Sequence, residues 1–253
     1  MKAKLGQNFL VDRNIAELEV KYASISKKDV VLEIGPGNGI LTRILAENAK
    51  QVIAIELDEK LFENLKMELP DNVQLINDDA VKIDLDKLPK FNKIVSNLPF
   101  QISSPITFKI LDYNFDLAVL IYQKEFAERL IAKPCSKDYS RLTVNVYYKA
   151  ECEILRRIPK TCFHPVPKVD SAMVKIVKRK KPPFMVSSED FFFYLTKELF
   201  SYRRKKIGTV LNKFLKLDID DAPYTDNRVD DLSPEELGEL CNFLYRKSHQ
   251  TKT

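Results

Sequence analysis

Apolar and polar positions along the first half of the chain fall into two alternating rhythms. Val30-Val31-Leu32-Glu33-Ile34 is a short apolar, β-branched run of the kind that forms a buried parallel strand. After Gly35 the pattern changes to a helical period from Ile40 to Ala46, and Gln51-Val52-Ile53-Ala54-Ile55 returns to a strand. Val73 to Ile76, Lys93 to Ser96 and Leu117 to Tyr122 repeat the strand signature, so an open α/β sheet is expected. Lys124 to Ala132 reads as a helix, Arg141 to Tyr148 and Cys152 to Ile158 as further elements, and Ala172 to Val177 as strand-like alternation. That alternation stops at Lys180-Lys181-Pro182-Pro183, which sets an expected boundary between a domain of residues 1–181 and a small helical domain of residues 182–253. Within the second domain, Ser188-Glu189-Asp190 opens a helix to about Phe200, and Lys206 to Phe214 reads as another. Ser233-Pro234-Glu235-Glu236 opens a last one, with Ser233 as cap, Pro234 in the first turn and Glu236 closing a capping box.

The chemistry sits in the loops that follow the strands. Gly35, Gly37 and Gly39 turn the chain from strand to helix, and glycine there lets a ligand lie directly on the backbone. Glu56 ends the next strand, where a carboxylate can accept hydrogen bonds from both hydroxyls of a ribose. The Gly-x-Gly-x-Gly spacing lacks the helix-facing glycine with which dinucleotide binders seat a pyrophosphate, and this disfavours NAD. Asn77-Asp78-Asp79-Ala80 follows a third strand, and Asp79 is the candidate acceptor for an adenine amino group.

Asn97-Leu98-Pro99-Phe100 falls at the end of the fourth strand, on the sheet edge where ligands collect. An aromatic exocyclic amine is a poor nucleophile because its lone pair is delocalised into the ring. The Asn97 side-chain oxygen and the Leu98 carbonyl can each accept one of its N–H groups, which draws the nitrogen toward tetrahedral geometry. Pro99 stiffens the loop, and Phe100 offers a flat face on which an extruded base can stack. A nucleoside cradle followed by this amine grip points to methyl transfer from S-adenosylmethionine to an amino nitrogen of a nucleobase.

Charge is uneven although the net value is only +5. The stretch from Arg156 to Lys213 is basic, with clusters at Arg156-Arg157, Lys178-Arg179-Lys180-Lys181 and Arg203-Arg204-Lys205-Lys206, while Asp218 to Glu239 is acidic. A basic half with interspersed aromatics suits a phosphate backbone. Cys135, Cys152, Cys162 and Cys241 lack Cys-x-x-Cys spacing, and with 2 histidines in the chain no metal site is expected. Neither a long uncharged apolar run nor a signal-peptide pattern is evident, so a soluble cytoplasmic protein is expected, and nothing points to an obligate dimer rather than a monomer.

Five segments occur in one order: Leu5-Gly6-Gln7-Asn8-Phe9-Leu10-Val11-Asp12, Glu33-Ile34-Gly35-Pro36-Gly37-Asn38-Gly39, Asn97-Leu98-Pro99-Phe100, Phe163-His164-Pro165-Val166-Pro167-Lys168-Val169-Asp170-Ser171 and Tyr202-Arg203-Arg204-Lys205-Lys206. Together they resemble the signature set of the small-subunit rRNA adenine N6,N6-dimethyltransferases, over about residues 3 to 245. The resemblance implies a Rossmann-like class I methyltransferase sheet, seven-stranded and mostly parallel, followed by a small C-terminal helical domain. It implies that Asn8 and Leu10 close over the methionine end of S-adenosylmethionine, and that Gly35, Glu56, Asp79 and Asn97 line the rest. Phe100 stands where bacterial members more often carry tyrosine, and Phe163 matches the aromatic that covers the base's other face. Arg203, Arg204, Lys205 and Lys206 are the expected phosphate contacts. The implied substrate is a pair of adjacent adenosines near the 3′ end of small-subunit rRNA within a pre-ribosomal small subunit. The alternatives are a large-subunit rRNA adenine methylase of the antibiotic-resistance type, and a ribosome-assembly or transcription factor that keeps the fold without catalysis.

Overall fold

The computed structural model describes residues 7–214 and 221–250, so Leu5-Gly6 of the first motif and the start of the acidic stretch at Asp218 lie outside the described residues. The chain runs β1 (Phe9–Leu10), α1 (Arg13–Tyr22), β2 (Val30–Ile34), α2 (Ile40–Asn48), β3 (Gln51–Glu56), α3 (Glu59–Lys66), β4 (Val73–Asn77), β5 (Lys93–Asn97), α4 (Ser103–Asp112) and β6 (Leu117–Gln123). It continues with α5 (Lys124–Leu130), α6 (Arg141–Lys149), β7 (Ala150–Ile158), β8 (Phe163–His164), β9 (Ser171–Lys178), α7 (Glu189–Phe200), α8 (Ile207–Phe214) and α9 (Pro234–Gln250).

Seven strands form one sheet in the order β4-β3-β2-β5-β6-β9-β7. The pairs from β4 to β6 are parallel, and β9 joins antiparallel to both β6 and β7. The order reverses between β2 and β5, which makes the carboxyl ends of these two strands the topological switch point where ligands bind. β2, β3 and β6 are apolar on both faces because each is covered on both: Val31, Leu32, Val52, Ile53, Val119 and Leu120 are all fully buried. One core cluster joins α1 and α2 to the sheet through Ile15, Ala16, Val20, Leu41 and Leu45.

By their contacts the described residues divide into two compact units. The first is the chain up to Ala127 together with Ala150–Lys178, and the second is Glu128–Lys149 together with the chain after Lys178. The sequence pattern predicts a single boundary, after residue 181. The structure puts α6 with the helical unit instead, because its buried face packs there. Tyr148 stands 5.2 Å from Phe192 and 5.1 Å from Phe184, ring centre to ring centre, and Tyr139 and Val144 join the same core. In that unit the Ser188 hydroxyl caps α7 by accepting from Phe191 N, and Ser233 and Glu236 make the expected reciprocal capping box.

A separate two-stranded ribbon pairs β1 with β8, Phe9 opposite His164 and Leu10 opposite Phe163. Two-residue strands carry no periodicity, so this pairing has no signature along the chain. It brings the first and fourth motifs together. The four cysteines are free thiols, and among the described residues no cluster of His, Cys, Asp or Glu could hold a metal. No helix among them is long and apolar enough to cross a membrane.

Candidate active site

The tips of β2 and β5 carry the glycine loop and the tetrapeptide, and one buried side chain holds them together. Backbone pairing between these strands covers Val31↔Lys93 and Leu32↔Ile94. Two residues further on, Ser96 takes over: its Oγ donates to Ile34 O at 2.6 Å and accepts from Ile34 N at 3.2 Å. Beyond that latch the strands open into a cavity lined by Asn8, Phe9, Leu10, Glu33, Gly35, Gly37, Glu56 and Asn97 through Phe100.

Two glycines are required by contact as well as by conformation. Gly35 has φ +73°, and a Cβ there would stand 2.9 Å from Pro99 Cγ. Gly37 has φ +58°, and its Cβ would meet the Phe9 ring at 2.8 Å. The loop is therefore packed directly against the tetrapeptide on one side and β1 on the other, leaving bare backbone toward the cavity. Glu56 is buried behind the loop; its Oε2 accepts from Gly37 N at 3.1 Å and its Oε1 from Asp58 N at 2.9 Å. Burial raises its pKa, opposed by these backbone donors.

Asn97 closes β5 with its side-chain oxygen buried and without a hydrogen-bond partner. An orphaned buried acceptor costs about 1–3 kcal/mol, so it is expected where a ligand donor will arrive. Leu98 is buried, Pro99 has φ −57°, and a 3₁₀ turn over Phe100–Ile102 closes when Ile102 N donates to Pro99 O at 3.0 Å. The Phe100 ring meets that of Phe163 edge-on, with centres 6.3 Å apart and planes at 63°.

Asn8, Leu10, Gly35, Glu56 and Asn97 are thus brought together on one cavity, with Leu98, Pro99 and Phe100. Asn8 Nδ2 donates to Pro165 O at 2.6 Å and so ties the N-terminal segment to the Phe163 loop. Asp79 is not among the lining residues. It follows β4, whose Asn77 pairs with Glu56, but its Oδ1 accepts from Val81 N at 2.9 Å and its Oδ2 faces Lys82 Nζ at 3.4 Å. Phe163 is 1% exposed, so it presents an edge and no free face for stacking. Sequence reasoning passed over Glu33, although a glutamate inside an apolar strand next to the glycine loop was a visible signal. It also passed over Ser96, whose role depends on a tertiary divergence of strands.

In the helical unit the basic cluster divides. Arg203 is half-buried, donating to Ser136 O at 3.2 Å and Lys137 O at 2.9 Å and pairing with Asp230 at 3.2 Å. Its expected role as a free phosphate contact is corrected to an internal one, because those acceptors already occupy the guanidinium. Lys206 pairs with Asp226 at 2.9 Å in an exposed bridge, while Arg204 and Lys205 are exposed.

A five-stranded parallel run with antiparallel strands at one edge, and a glycine cradle at its switch point, defines a class I methyltransferase. Solved structures agree. A dimethyladenosine transferase from Plasmodium falciparum superposes with a TM-score of 0.80 at 28% identity, covering 95% of this chain and 98% of that one. The 23S rRNA methyltransferase ErmE gives 0.69 at 28% identity over 94% of this chain and 100% of that one. A protein of Methanococcus vannielii named "probable ribosomal RNA small subunit methyltransferase A" is 45% identical over 96% of each chain, and one so named from Thermococcus onnurineus is 45% identical over 95% of this chain and 91% of its own length. The family model described as ribosomal RNA adenine dimethylase matches residues 1–245. The chain belongs to the ribosomal RNA adenine dimethylase family and is an S-adenosylmethionine-dependent methyltransferase. The bare glycine backbone, the buried Glu56 and the orphaned Asn97 oxygen fit that cofactor beside an amine-bearing base.

Proposed function

We propose that this protein dimethylates N6 of two adjacent adenosines near the 3′ end of small-subunit rRNA, on a pre-ribosomal small subunit late in its assembly. One observation carries the chemistry: the buried Asn97 Oδ1 has no partner, at the end of the strand next to the glycine cradle. In this reading Asn97 Oδ1 and the Leu98 carbonyl accept the two N–H groups of the adenine amine. That pair of acceptors localises the nitrogen lone pair and aims it toward the cradle. Pro99, wedged against Gly35, fixes the distance between grip and cradle, and Phe100 supports the base by stacking. Glu56 holds the ribose, and Asn8 and Leu10 wall the methionine end. Asp79 keeps acceptor capacity for the cofactor adenine beside its turn hydrogen bond to Val81 N. The cofactor supplies a methyl group on a positively charged sulfur, whose departure as a neutral thioether drives the transfer. The methylated nitrogen then bears positive charge and loses a proton to water.

Arg204 and Lys205 are the proposed phosphate contacts of the helical unit. The small-subunit reading, rather than a large-subunit one, is supported by the names of relatives at 45% identity. The test is mass analysis of nucleosides from unmodified small subunits incubated with the protein and labelled cofactor. Dimethyladenosine at two neighbouring positions is expected. Asn97→Ala should bind cofactor within several-fold but lose about a hundredfold in turnover, the equivalent of on the order of 3 kcal/mol. Near-normal turnover of that variant would end the assigned role.

A further inference from the structure

Three carboxyl groups step from the cavity into the core without a cation among them. Glu56 on β3 is 4% exposed and is satisfied by backbone N–H groups. Glu33 on β2 lines the same cavity at 2% exposure, and its Oε2 has no hydrogen-bond partner. Glu19 on α1 lies behind at 0%, with neither oxygen partnered. Thr42 on α2 contributes a hydroxyl, and the polar groups on the β5 side, Ser96 and Asn97, are neutral. The Gln7–Leu10 segment of the cavity wall is uncharged as well. Among the described residues no lysine or arginine forms an ion pair with Glu33 or Glu19. An unpaired carboxylate removed from water costs several kcal/mol, and such a group stays protonated until a positive charge reaches it.

We propose that Glu33 senses the charge of the cofactor: it is a neutral acid in the free protein and becomes a carboxylate, releasing its proton to solvent, when the cationic methyl donor occupies the cavity. The proposal rests on the S-adenosylmethionine reading of the cavity and adds a proton to its binding equilibrium. Burial pushes the Glu33 carboxyl up, the Thr42 hydroxyl opposes, and the nearby Glu56 charge adds to burial, for a value of about 8. Burial and the Glu33 charge push Glu19 well above the usual range, so Glu19 stays protonated and is not the proton source. A free-state value of about 8 leaves roughly nine of ten Glu33 side chains neutral at pH 7. Binding a cation there releases close to one proton per ligand, and affinity should rise by about tenfold per pH unit below 7.

Calorimetry of S-adenosylmethionine binding in two buffers of different ionisation enthalpy, at pH 6 to 7, counts the protons directly. The ligand's own α-amino group, with a pKa of about 8, stays protonated in that window. Wild type, Glu33→Asp and Glu19→Gln should each release nearly one proton. Glu33→Gln should lose that release, and its affinity should change less than about twofold between pH 6 and 7. Thermal unfolding of each variant checks that it is folded, and if Glu33→Gln is not, the wild-type affinity, expected to rise about tenfold from pH 6 to 7, carries the test. Binding without proton release in wild type, or equal release in Glu33→Gln, overturns the proposal while leaving the cofactor site standing. Loss of release in Glu19→Gln overturns it by assigning the proton to Glu19. Absence of binding at every pH would refute the cofactor site itself, and the proposal with it.

Discussion

Replacing Ser96 by alanine removes one oxygen atom and leaves two buried backbone groups without partners. Ser96 is fully buried, and its Oγ both donates to Ile34 O and accepts from Ile34 N, at 2.6 and 3.2 Å. The ladder between β2 and β5 has already ended at Leu32↔Ile94, so no strand backbone stands ready to take over. Each orphaned group costs about 1–3 kcal/mol, and some relaxation of the strand tips is expected, so the net loss should be roughly 2–4 kcal/mol. Urea unfolding followed by circular dichroism should show a lower midpoint with an unchanged slope. Because the same tips carry Gly35 and Asn97, turnover at saturating cofactor should fall as well, by more than cofactor affinity does. A stability change below about 0.5 kcal/mol would refute the latch, since losses of that size are ordinary for surface substitutions. A stability loss with unchanged turnover would mean that the latch holds the strands but does not set the distance between cradle and grip.

Glu56→Ala should weaken S-adenosylmethionine binding by roughly 2 kcal/mol, with a smaller effect on saturated turnover, and unchanged affinity in calorimetry would remove Glu56 from the cofactor site. At the opposite end of the sheet, burial would raise the Asp29 carboxyl, but hydrogen bonds from Asn92, Ser26 and Lys93 outweigh it and hold the value at about 2. An unfolded value near 3.9 makes this stabilisation fully present above about pH 4 and lost as pH falls through about 2, on the order of 2 kcal/mol in all; urea midpoints between pH 2 and 5 should fall less steeply in Asp29→Asn than in wild type. Arg204→Ala with Lys205→Ala should flatten the salt dependence of small-subunit binding by about one logarithmic unit per lost phosphate contact without changing stability. Arg203→Ala should instead lower the unfolding temperature, because it strips Asp230 and the carbonyls of Ser136 and Lys137 of their donor.

The parts legible in the sequence are those whose signal is local. Val30 to Ile34 is a strand because its apolar run fits a sheet covered on both faces, and Ser233 with Glu236 announces a helix start through a box completed within three residues. The glycine loop and the tetrapeptide were legible for the same reason, each being a short run with one use. What stayed hidden depends on distant partners. Tyr148 could belong to either unit until Phe184 and Phe192 close around it. Arg203 looked like its neighbours Arg204 and Lys205, and only Asp230, far along the chain, separates a structural guanidinium from the exposed ones. Asp79 sits at the right strand end, and its carboxylate also starts a turn by accepting from Val81 N, a local use common for aspartate in loops that leaves it outside the cavity lining.

The β1–β8 ribbon ties the Phe163 segment to one wall of the cavity. Leu10, on the wall of the cofactor cavity, is paired in register with Phe163, and Asn8 is hydrogen-bonded to Pro165 in the following loop. Phe163 is buried and turns its edge to Phe100, so a base can stack on Phe163 only after that ring moves. A displacement of Phe163 that keeps the two-stranded pairing carries Leu10 and Asn8 with it, and these residues form one side of the cavity below. If base entry displaces Phe163, the ribbon therefore displaces one wall of the cavity as well. Dimethylating two adenosines takes four transfers, each using up one methyl donor. If the ribbon moves as one piece, exchange of spent cofactor and repositioning of the base share one open interval.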